Sequence, residues 1–161
     1  MGPRVRPRRT LFERALEDYR SVGDTCGTAA CLENVAMIGL HGGKIDLAAA
    51  NLRESLQLSS SIGDAHSLTA SLPAAAAVAL ARGDQDAAAR LGGAVSKACR
   101  TLGLALEPIE ARLMTDTIAA LREALGGSFN DAWATGANMD LAATVDLAVT
   151  KLGGQRGAST F

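Results

Sequence analysis

The chain has 161 residues, 48% hydrophobic, 3% aromatic and 20% charged, with 16 Lys and Arg against 17 Asp and Glu for a formal charge of −1. That length holds one domain with a real core, and abundant Ala beside scarce aromatics disfavours strands, so an all-α fold is expected. Arg4, Arg6, Arg8 and Arg9 crowd the start; without them 12 basic groups face 17 acidic ones, a body charge of −5 that excludes a nucleic-acid surface outside the tail.

Residues 1–9 read as a basic, disordered tail. A helix is expected over 9–22, with Leu11, Ala15, Leu16, Tyr19 and Val22 on one face. Gly23 ends it as a left-handed C-cap, and Asp24 or Thr25 opens the next, over 28–40, with Leu32, Val35, Ala36 and Leu40 inward. Gly42-Gly43 stops that helix and Asp46 is expected to cap one reaching Ile62. The next, over 65–82, contains Pro73, which removes a backbone donor and clashes with the preceding turn, so a kink or late start is expected.

Asp86 begins a helix to Leu102 weakened by Gly92-Gly93, at about 1 kcal/mol per Gly relative to Ala, which close contact with a neighbouring helix would offset. Pro108 sits at a helix start, where its missing N–H costs nothing, and 109–125 carries Met114, Ile118, Leu121 and Leu125 on one stripe. Ser128 and Asp131 suggest a capping box for a short helix presenting Phe129 and Trp133. Asp140 caps a last helix to Leu152. About eight helices result, in a domain spanning 10–152, followed by a flexible tail over 153–161.

The chain repeats itself at a spacing of 40. Gly23-Asp24 returns as Gly63-Asp64, and Gly63 as Gly103; Leu32, Leu40, Gly43, Asp46 and Ala48 return as Leu72, Leu80, Gly83, Asp86 and Ala88. A fixed period of this size marks stacked two-helix units.

The stretch 32–48 with Leu52, Ser55 and Leu56 resembles a tetratricopeptide (TPR) repeat: Leu32 stands at the first large position, Val35-Ala36 at the Leu-Gly pair, and Ala48, Leu52 and Ser55 at the small and bulky positions of the second helix. Residues 72–95 resemble a weaker second copy. A more specific similarity runs through Ala79–Asp84, Ala88–Ala94, Leu102-Gly103, Pro108, Ala119–Gly126, Phe129–Gly136 and the closing helix. It resembles the C-terminal helical-repeat region of actinobacterial LuxR-type ATPase regulators, also found with nucleotide-cyclase domains. The resemblance implies a right-handed superhelix of antiparallel helix pairs in a cytoplasmic transcriptional regulator. The ATPase and helix-turn-helix domains of those regulators are absent from these residues. The chain begins inside a repeat, as expected of a fragment, a remnant gene product or a mis-assigned start.

No constellation of catalytic residues emerges, and the chain is expected not to be an enzyme. Gly43-Lys44 fails as a P-loop, because Ile38 stands where its first glycine belongs and Ile45 where Ser or Thr should meet magnesium. His41 and His66 are the only imidazoles, and neither they nor the cysteines have metal-ligand spacing, so no metal or other cofactor is expected. Ser59-Ser60-Ser61 reads as a helix end, and Glu107 and Glu110 as first-turn acids favoured by the helix dipole. Cys26, Cys31 and Cys99 read as reduced thiols packed as small hydrophobes. No signal peptide is expected, since the basic start meets Glu13, Glu17 and Asp18, and the longest apolar run, 68–81, is too short to span a bilayer.

Function is expected on the inner face that the repeat resemblance implies, lined by Glu33, Met37, His41, Pro73 and Ala77. Glu33 and Pro73 stand where chaperone-binding repeats carry a basic residue, so a carboxylate clamp is excluded, and an apolar peptide or amphipathic helix fits better. The expected partner is a protein, such as a regulatory ATPase domain, with no membrane role. Two alternatives stand beside it. One is self-association through an apolar patch on the 11–22 helix. The other is a nucleic-acid contact, less favoured, made by Arg4, Arg6, Arg8 and Arg9.

Overall fold

The structure, a computed structural model, describes residues 6–154, which form helices and turns with no strand among the described residues. The helices are α1 (Arg6–Ser21), α2 (Thr25–His41), α3 (Ile45–Ser61), α4 (Ala65–Ala81), α5 (Gln85–Leu102), α6 (Pro108–Leu125), α7 (Phe129–Ala137) and α8 (Leu141–Leu152). A 3-10 turn, Gly126–Ser128, joins α6 to α7 with no coil residue between them. The described residues therefore make seven uninterrupted helical stretches rather than about eight.

The turns follow from two residue types. α1 to α5 each end on a glycine in the left-handed region: Gly23, Gly43, Gly63, Gly83 and Gly103, with φ between 63° and 84°. A Cβ is strained there, so glycine closes the helix at least cost. Aspartate follows three of them and caps the next helix. Asp24 Oδ1 accepts from Gly27 N–H at 2.8 Å, Asp64 Oδ1 from Ser67 N–H at 3.1 Å and Asp84 Oδ1 from Ala87 N–H at 3.1 Å. Lys44 holds the corresponding place after Gly43 and has no oxygen to offer. α3 thus starts without a side-chain cap, and Asp46 lies in its first turn instead of capping it. Asp140 does cap α8, accepting from Ala143 N–H at 2.7 Å. Ser128 does not cap α7, because the chain turns directly out of α6 and its Oγ donates back to the Leu125 carbonyl at 2.8 Å.

Helix α4 runs unbroken through Pro73, so no late start occurs; the ring is fully buried among α4's neighbours. Each helix from α1 to α5 packs on the next, α4 also packs on α6, and α8 folds back across α3, α4 and α5. Leu32, Leu52, Leu56, Leu72, Leu91 and Leu121 fill the interior, and Ala36, Ala48, Ala76, Ala88 and Ala89 are fully buried where helices approach. Small residues at the crossings let the axes come close while leucines fill the gaps.

The closest approach is between α5 and α7. A Cβ on Gly92 would meet the Trp133 ring, one on Gly93 the Trp133 carbonyl, and one on Gly136 the Arg90 carbonyl. The Gly92-Gly93 pair thus serves the close contact expected of it. Trp133 also sits 5.4 Å, centroid to centroid, from Phe129, and the Arg122 guanidinium lies 5.0 Å over the Phe129 ring.

Arg82, just past α4, ties three helices together. Its guanidinium donates to the Lys151 carbonyl at 2.9 Å and the Leu152 carbonyl at 3.3 Å, and pairs with Asp46 at 2.9 Å. Lys151 in turn pairs with Asp84 at 2.6 Å. Arg82 thereby satisfies carbonyls that the end of α8 leaves open and complements its dipole. Arg82→Met is expected to lower stability by about 1–2 kcal/mol in urea unfolding. Arg20→Met, which loses an exposed pair with Glu54, should cost less than about 1 kcal/mol.

Candidate functional site

The five expected groove residues do not share one open surface. Met37 and Pro73 are buried in the core, so neither presents a side chain to a partner. Pro73 lies on α4, which packs on α6 as well as on α3 and α5, and Met37 lies on α2, which packs on α1, α3 and α4. Ala77 is half-buried. His41 is exposed at the end of α2, its Nδ1 3.0 Å from the Met37 carbonyl. Arg4 and the side chains of Arg6, Arg8 and Arg9 lie outside the described residues.

Glu33 is the expected residue that does reach a cavity. It lines a cleft of about 180 Å³ between α2, α4 and the start of α6, with His66, Ser67 and Thr69 from α4, Leu104 and Leu106 from the α5–α6 connection, and Glu107 and Glu110. The cleft holds three carboxyl groups and one imidazole, with no Lys or Arg in its lining. Glu110 Oε2 accepts from the Glu107 N–H at 2.7 Å, which anchors it at the head of α6.

Burial pushes the Glu33 carboxyl up to about 7, the nearby Glu110 charge adds to the rise, and the Ser71 hydroxyl offsets part of it. Burial raises Glu110 as well, against the lowering effect of the Glu107 N–H and of His66. A carboxyl in a low-dielectric cleft beside a like charge resists ionisation for both reasons at once. By sequence, Glu107 and Glu110 stand only as first-turn acids that favour the helix dipole. Their meeting with Glu33 joins positions more than 70 residues apart, and no local pattern signals it.

A second, larger groove of about 1020 Å³ opens between α3 and the end of α8. It was not expected from the sequence. Arg53, Glu54, Arg82, Asp84, Lys151 and Asp46 lie along it, and the Arg82–Asp46 and Lys151–Asp84 pairs cancel most of that charge. At the other end of the chain, Leu11 on α1 is 65% exposed and Val22, in the turn after it, 76% exposed.

Among the described residues, no group of three or more His, Cys, Asp or Glu is placed to hold a metal ion, and no helix is long and apolar enough to cross a membrane. Cys26 is exposed, Cys31 buried and Cys99 half-buried, all as free thiols. Burial raises the Cys31 and Cys99 thiols above their ordinary range, which disfavours the reactive thiolate. Comparison with family models, curated proteins and solved structures gives no match to this chain.

Proposed function

We propose that the chain is a non-catalytic helical-repeat module, its helix pairs stacked as a right-handed TPR-like superhelix, which binds a protein within a cytoplasmic LuxR-type transcriptional regulator or one derived from such a regulator. The regular succession of helix–turn units supports this reading most directly: five left-handed glycines at 20-residue intervals give five helices in which each packs on the next. Such stacks offer extended surfaces to partners rather than a closed site for chemistry. The partner presents an apolar peptide or an amphipathic helix.

Calorimetric titration against the regulatory ATPase domain of a LuxR-type protein tests the proposal. Micromolar binding or a change in that domain's nucleotide hydrolysis is the expected result; neither binding nor any effect would overturn it.

Exposed Leu11 on α1 and Val22 in the turn that follows it favour self-association as a second reading, since large apolar side chains open to water are ready contacts for a second copy. Light scattering should then show concentration-dependent dimers that Leu11→Asp with Val22→Asp abolishes. A clean monomer of the unaltered chain at high concentration would exclude this reading.

A further inference from the structure

Repeat-related positions on α1 and α3 have unlike surroundings. Forty residues separate Phe12, Ala15, Leu16 and Tyr19 from Leu52, Ser55, Leu56 and Ser59. On α3 all four are buried, none more than 1% exposed. On α1 Phe12, Ala15 and Leu16 are half-buried and Tyr19 is 38% exposed. The helix α2 supplies the difference. It lies antiparallel along α3: the Ser55 hydroxyl donates to the Ala29 carbonyl at 2.9 Å, and a Cβ on Gly39 would meet the Ala48 side chain at 3.5 Å. α2 also packs on α4, so it rests on both helices that follow it. Among the described residues, no helix stands in that relation to α1 and α2.

We propose that the open side of α1, at Phe12, Ala15, Leu16 and Tyr19, seats an amphipathic helix of another protein, which rests on α1 and α2 as α2 rests on α3 and α4. The inference builds on the binding-module reading and places its docking surface on the α1 edge. Each unit of a helical stack buries its apolar stripe only against a neighbour, and the repeat shows what that neighbour is: a helix. The chemistry of the occupant follows from α2, whose Ala29, Leu32, Ala36 and Gly39 are buried at spacings of three and four. It carries Ala or Gly around a Leu on its docking stripe. Small residues are needed opposite Tyr19, because this ring takes the place of Ser59 and fills more of the seat. A second copy fits less well, since pairing α1 with α1 sets Phe12 and Tyr19 against side chains of the same bulk.

An added helix tests the seat. A copy of residues 24–44, which spans α2 and both its ends, is joined ahead of Val5 in place of residues 1–4, so that it precedes α1 as α2 precedes α3. Tethering gives it a local concentration on the order of millimolar, at which weak docking still registers. Hydrogen exchange, read by mass spectrometry, should slow roughly tenfold over 12–21. Ala29→Arg made in the copy alone should restore the rate of the unaltered chain. Exchange over α1 that the added helix leaves unchanged overturns the proposal. So does slowing in the unaltered chain as its concentration rises, which gives the seat to a second copy. The regulatory ATPase domain separates this surface from the reading beneath it. Its binding should be blocked by the added helix and regained with Ala29→Arg in the copy. Equal binding with and without the added helix overturns the seat and leaves the module standing. No binding to any of these chains overturns the module, while slowed exchange over α1 still upholds the seat.

Discussion

Gly136→Ala is expected to destabilise the fold by about 3 kcal/mol, despite the better helix propensity of alanine. Its Cβ would run into the backbone carbonyl of Arg90, so α5 and α7 must move apart before the residue fits. Overpacking of this kind costs about 1–3 kcal/mol and sometimes more, and a backbone obstacle lacks the freedom of a flexible side chain to give way. The gain in helix propensity, about 1 kcal/mol, does not offset it. Gly127→Ala is the control: nothing lies within reach of a Cβ there, and its φ is not positive. That substitution should stay within about 0.5 kcal/mol of the unaltered chain. Trp133, the single tryptophan, stands at this contact and reports on it by fluorescence during urea unfolding. Equal stability of the two variants would show that α5 and α7 are not so closely joined.

The second large effect belongs to Glu33 and depends on pH. Its carboxyl is raised from an ordinary 4.5 to about 7, so the folded state holds this proton more tightly than the unfolded chain does. Between those values the native protein binds more protons, and stability therefore falls as pH rises from about 4.5 to about 7. The loss is complete above that window and absent below it. Its size is on the order of 2–3 kcal/mol from the width of the window, allowing for partial exposure. Glu33→Gln should match the unaltered protein near pH 4.5 and exceed it by that amount at pH 8, measured by urea unfolding at both. Glu110, also raised, contributes in the same direction. A variant no more stable than the unaltered chain at pH 8 would remove Glu33 as the source.

The helices were legible because their signals are local. Gly23, Gly63 and Gly103 marked ends, Asp24 and Asp140 marked starts, and Pro108 took the first-turn place where its missing N–H is harmless. Side chains repeat at 40 residues, although the glycines that stop α1 to α5 recur every 20. Glycine spacing carries the half-period, but the matching side chains, such as Leu32 with Leu72 and Ala48 with Ala88, lie on every second helix. Local signals also misled where a competing bond won. Asp46 has the chemistry of a cap yet lies inside α3, and Ser128 turns its hydroxyl back to α6.

Composition and periodicity alone dictated that this chain is helical, where its turns fall and which faces are apolar, because hydrogen bonds within a helix and the strain on a left-handed residue are settled within a few neighbours. The tertiary structure decided which apolar positions vanish into the core and which acids come together. Met37 and Pro73 were buried by helices distant in sequence, and Glu33 acquired its near-neutral carboxyl from burial and from Glu110. Desolvation and like-charge repulsion depend on distances in space, and those exist only once α2, α4 and α6 have met.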